Sequence, residues 1–77
     1  MAWKTYLILH FGTTGKKPTE LAKDLEALGF NAEFGSVDFV YQWEEKPTKE
    51  SVLALADKIT DVLKDSGSVF NIDTHEQ

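Results

Sequence analysis

KKPTE at residues 16–20 returns almost unchanged as EKPTK at residues 45–49, in a chain that has only two prolines. Each copy stands just ahead of an amphipathic stretch, TELAKDLEAL at 19–28 and TKESVLALADKITDVLKD at 48–65. In the first, Leu21, Ala22, Leu25 and Leu28 recur at helical spacing and Gly29 follows as a helix stop. In the second, Val52, Leu55, Ala56, Ile59, Val62 and Leu63 share one stripe that runs out near Gly67. Proline presets a helix-compatible φ where no N–H is needed, and threonine can cap a free N–H there. Both copies therefore read as helix starts, with either the lysine or the threonine as the cap.

The segments around the helices alternate with period two. WKTYLILHF, Trp3 to Phe11, sets Trp3, Thr5, Leu7, Leu9 and Phe11 on one face and Lys4, Tyr6, Ile8 and His10 on the other. FNAEF, Phe30 to Phe34, turns back at Gly35-Ser36 into VDFVYQW, which groups Val37, Phe39, Tyr41 and Trp43. SVFNIDTH sets Phe70, Ile72 and Thr74 against Val69, Asn71, Asp73 and His75, and the last two residues are expected to fray. The order βαββαβ predicts one α+β domain over residues 1–77, a four-stranded antiparallel sheet in the order 4-1-3-2 with both helices on one face. This arrangement resembles the ferredoxin-like sandwich. Each Lys-Pro-Thr then marks the same point of a two-fold repeated half, where a central strand hands over to a helix.

Composition excludes several functions. Thirteen acidic residues against eight basic ones, a net charge of −5, oppose a phosphate backbone, and no nucleic-acid partner is expected. All eight basic residues are lysines, so the guanidinium fork that grips carboxylates and phosphates is missing. The absence of cysteine removes disulfides and thiolate metal sites, which makes oligomerisation a more probable source of stability for so small a domain. No window approaches the ~20 apolar residues of a membrane span, and the start of the chain has no signal-peptide pattern. A cytoplasmic protein without membrane contact is the expectation.

Catalytic and metal-binding patterns are thin. Gly12, Thr13, Thr14, Gly15, Lys16 and Lys17 form a glycine-bearing loop before a helix, a weak candidate for holding an anion. It departs from the nucleotide-binding P-loop, with His10 where the first glycine belongs and Lys17 where a hydroxyl belongs. Asp73 and His75 share a strand face, with Glu76 nearby, but surface polarity accounts for them and no metal or cofactor is expected. His10 and His75 fall at opposite ends of neighbouring strands, too far apart to act jointly. Ser36, Ser51, Ser66 and Ser68 read as turn and cap residues, and Glu44, Glu45, Asp57, Asp61 and Asp65 as solvated acids.

The sheet face away from the helices is the candidate working surface, carrying Tyr6, Ile8, His10, Val40, Gln42, Val69, Asn71, Asp73 and His75, with Lys4 and Asp38 beside them. Tyr6, Ile8, Val40 and Val69 make an apolar strip with a polar rim, the pattern of an interface. If the register of 37–43 is reversed, Phe39, Tyr41 and Trp43 become an exposed aromatic platform instead.

GSVDFVYQW followed by a helix and SGSVFNIDTH resembles the second half of stand-alone ligand-sensing RAM domains, and is similar to ACT domains and other dimeric αβ-barrel proteins. The resemblance spans residues 35–75 and rests on Gly35, Asp38, Phe39, Val40, Val69 and Thr74. It implies sheets packed into a dimer and small effectors, often amino acids, bound near subunit interfaces. Other ferredoxin-like families fail on chemistry: acylphosphatases need an arginine and heavy-metal-associated domains need Cys-x-x-Cys, and this chain has neither. RNA recognition motifs need basic-aromatic strands that are also missing. The expected function is a non-catalytic ligand-binding or protein-interaction module that forms a homodimer through its open sheet face, with a small-molecule effector or a protein as partner. The alternatives are a small αβ-barrel enzyme with His10 or His75 as acid or base, and an anion or nucleotide sensor at Gly12–Lys17.

Overall fold

A computed structural model describes residues 2–10, 12, 15, 17–33, 35, 37–64 and 66–76. Alternating apolar residues make β1 (Trp3–His10), which lies at the centre of the sheet. The chain continues through α1 (Pro18–Ala27), β2 (Phe30–Ala32), β3 (Phe39–Trp43), α2 (Lys49–Leu63) and β4 (Val69–Glu76). The sheet order is β2-β3-β1-β4, all neighbours antiparallel, which gives the strand adjacencies expected from the sequence. Leu7, Leu9, Phe30 and Phe39 from the sheet meet Leu21 and Leu25 of α1 and Leu55, Ile59 and Leu63 of α2 in one core, so both helices cover one face. Burying a side chain of this size stabilises by roughly 1.5–3 kcal/mol.

A polar residue is built into that core. Thr5 is fully buried, and its Oγ1 accepts from Trp43 Nε1 at 2.8 Å and lies 2.6 Å from Thr74 Oγ1. Thr5 and Thr74 are cross-strand partners, so the pairing register delivers the two hydroxyls to each other. The indole N–H, otherwise stranded at the end of the aromatic row Phe30–Tyr41–Trp43, is thereby satisfied.

The two Lys-Pro-Thr copies serve their helices differently. α1 begins at Pro18 with Lys17 as N-cap, and Lys17 offers no side-chain bond. α2 begins after the second copy with Thr48 as N-cap, its Oγ1 accepting from Ser51 N–H at 3.0 Å. The cap thus falls on the lysine of one copy and on the threonine of the other. Gly29 has φ +109° directly after α1, the left-handed conformation that closes a helix.

Two expectations are corrected. VDFVYQW does not alternate throughout, because the pairing slips at Asp38: Leu7 stands opposite Phe39, yet its carbonyl accepts from Asp38 N–H at 3.0 Å. The Asp38 carboxylate then accepts from Leu9 N–H at 2.7 Å, where a strand carbonyl would otherwise bond. Val37 accordingly lines the open face together with Tyr6 and Ile8, while Phe39, Tyr41 and Trp43 stay with the core. Glu76, expected to fray, is paired with Trp3 in β4. Ser66 keeps the turn-and-cap role read from the sequence: it is buried, and its hydroxyl donates to Leu63 O at 2.6 Å at the end of α2.

Candidate functional site

The open face carries a hollow of about 310 Å³ over β1 and β4, lined by Tyr6, Ile8, Val37, Asn71, Ile72, Asp73 and His75. Tyr6 and Ile8 reach it because even-numbered positions of β1 point away from the helices, and Asn71, Asp73 and His75 because odd-numbered positions of β4 do. The cross-strand register sets Tyr6 opposite Asp73 and Ile8 opposite Asn71, while His75 stands opposite Lys4. Val37 joins them through the slip at Asp38.

Within the hollow the His75 ring stacks on Tyr6, with centroids 4.8 Å apart and planes 20° from parallel. Its Nδ1 lies 3.2 Å from Asp73 Oδ2, and the two side chains keep exposures of 47% and 77%. Imidazole is therefore held on two sides, by an aromatic face and by a carboxylate at Nδ1. Such a group can donate or accept a hydrogen bond at a fixed place beside an apolar wall.

Five of the residues singled out from the sequence meet in this hollow: Tyr6, Ile8, Asn71, Asp73 and His75. Four do not line it. Val40 faces the same side, opposite Tyr6, but is only 6% exposed. Gln42 lies beyond it on β3, opposite Lys4. His10 and Val69 pair with each other at the far end of β1 and β4. Since His75 pairs with Lys4, six residues of β1 separate it from His10, about 20 Å of strand. No family model matches this chain, and no curated protein or solved structure matches it.

The loop before α1 is partly committed elsewhere. Gly12 N–H donates to Ser68 Oγ at 3.1 Å, which removes one of the donors an anion would need. Gly15 has φ +83° and is exposed, as is Lys17. Thr13, Thr14 and Lys16 lie outside the described residues. A second hollow, about 350 Å³, borders the turn from β3 into α2 and includes Trp43, Glu44, Glu45 and Thr48. Its Thr48 hydroxyl is occupied by the helix cap. Glu76 alternates to the opposite side from Asp73 and His75, and among the described residues no group of three or more acidic or histidine side chains is placed to hold a metal ion. No described helix is long and apolar enough to cross a membrane.

The residue that sequence reasoning missed is Val37; Ile72 borders the hollow but packs against the core, on the face that parity gives it. Val37 was hidden by assuming unbroken alternation through Asp38. The signal for the slip is the acid itself, a poor strand former with a side chain short enough to bond nearby backbone.

Proposed function

We propose that this chain is a ferredoxin-like, non-catalytic binding module whose working surface is the hollow on the open sheet face, where a small effector or a segment of a partner is held. The observation that supports this reading is the meeting of an apolar wall, Tyr6, Ile8 and Val37, with Asn71, Asp73 and a doubly braced His75 in one concavity. Ligand sites combine an apolar lining with a few convergent polar groups in this way. The resemblance to RAM and ACT domains points to amino-acid-sized effectors. An amino acid would place its side chain on the apolar wall and its ammonium group toward Asp73.

A face-to-face homodimer finds less apolar area than the sequence implied. Val40 is already covered, so of the strip expected from the sequence, Ile8 at 37% and Val69 at 63% stay exposed beside the half-buried Tyr6. A second reading, an enzyme with His75 as acid or base, is favoured by the Asp73–His75 contact, since a carboxylate fixes the imidazole orientation for proton transfer.

The test is a titration with amino acids, nucleotides and divalent cations, followed through backbone amide shifts. Shifts centred on 4–8 and 71–75 that vanish in His75→Gln are expected. Shifts confined to Gly12–Lys17, or none with any of these ligands, would overturn the hollow as the binding site.

A further inference from the structure

β4 is the longer of the two edge strands, eight residues against three in β2, and it pairs with β1 along its entire length. Among the described residues, no strand lies beside its outer side. Proteins usually interrupt such an edge with proline, lysine or a bulge, because the free N–H and C=O groups form a template for another chain. Residues 69–76 contain neither proline nor lysine, and their register with β1 is unbroken. On the helix side, Phe70 and Ile72 pack against the core yet stay only half-buried, so the core opens sideways at this edge.

We infer that β4 pairs antiparallel with β4 of a second copy, about a two-fold axis through Ile72, so that two four-stranded sheets join into one. This assignment does not depend on whether the hollow holds a ligand.

The register follows from symmetry and charge. A two-fold axis normal to the sheet keeps each copy's open face on the same side, so opposed residues must have the same parity and the axis must pass through a residue. An axis at Asp73 would set that carboxylate against its own copy. An axis at Thr74 would shorten the ladder to 72–76, and one at Asn71 would set His75 against Gly67, outside the strand. An axis at Ile72 uses 69–75 and opposes no like charges. It sets Asn71 against the partner's Asp73, an amide donor against a carboxylate, on both sides of the axis. On the helix side Ile72 meets its own copy and closes the open flank of the core.

The test is sedimentation equilibrium of the full chain from micromolar to millimolar concentration, with three variants. The wild type is expected to dimerise. Asn71→Asp opposes two carboxylates at each of the two symmetric sites and should weaken the dimer roughly tenfold. Adding Asp73→Asn exchanges the two residues and should restore it, which separates a register effect from misfolding. Ile8→Lys, on the open face of a central strand, should leave the dimer intact. A monomer at millimolar concentration overturns the inference. So does a dimer broken by Ile8→Lys and indifferent to Asn71→Asp, which would put the second copy on the face instead of the edge.

Discussion

The two Lys-Pro-Thr segments share three letters and lead into helices of one core, yet they are held by different means. The start of α2 carries its own cap: Thr48 caps Ser51 N–H, and the two hydroxyls lie 2.9 Å apart. The start of α1 has no side-chain cap, and the chain that leads to it is anchored from outside. Gly12 donates to Ser68 and packs so closely on the 66–67 backbone that an added Cβ would stand 2.6 Å from Gly67 C. One start is local in sequence, and the other depends on a loop more than fifty residues away, from Gly12 to Ser68. Identical tripeptides therefore do not carry identical stability.

That contrast can be broken first at its distant half. Gly12→Ala forces a methyl group into backbone that has no side chain to move aside. A loss of about 3 kcal/mol in urea denaturation is expected. A loss below ~0.5 kcal/mol, the range of an ordinary surface substitution, would mean that the approach to α1 is not anchored there.

The local half is tested by a matched pair. Thr48→Ala removes the cap and should cost about 1 kcal/mol, while Thr19→Ala, inside the first turn of α1, should change stability by less than ~0.5 kcal/mol. Equal effects at the two threonines would show that both copies cap alike. The smallest effect should be a gain. Lys17→Asp supplies the oxygen that α1 lacks and puts a negative charge at the positive end of the helix dipole, for about 0.5 kcal/mol read as a raised thermal midpoint. No gain would mean that the backbone before Pro18 holds the side chain away from the free N–H groups.

Much of the site was legible for the same reason that the strands were. Tyr6, Ile8, Asn71, Asp73 and His75 sit on strict period-two segments, where facing direction follows from parity alone. What escaped was whatever depended on pairing. The stacking of His75 on Tyr6 is a diagonal contact between strands more than sixty residues apart in the chain, and the cover over Val40 likewise depends on its neighbours across the sheet. The slip at Asp38 moved Val37 to the open face, and it is held by the bonds from Asp38 N–H to the Leu7 carbonyl and from Leu9 N–H to the Asp38 carboxylate.

The sequence by itself determined the order of elements, the face of each regular strand, the apolar stripe of each helix and the sites where helices begin. Those properties are written in neighbouring residues through backbone geometry and the period of burial. Tertiary structure decided which residue of each Lys-Pro-Thr acts as the cap, where alternation breaks, and which polar groups of the open face converge. These outcomes depend on hydrogen bonds and contacts between segments distant in the chain, whose register is fixed only when the sheet and its core close together.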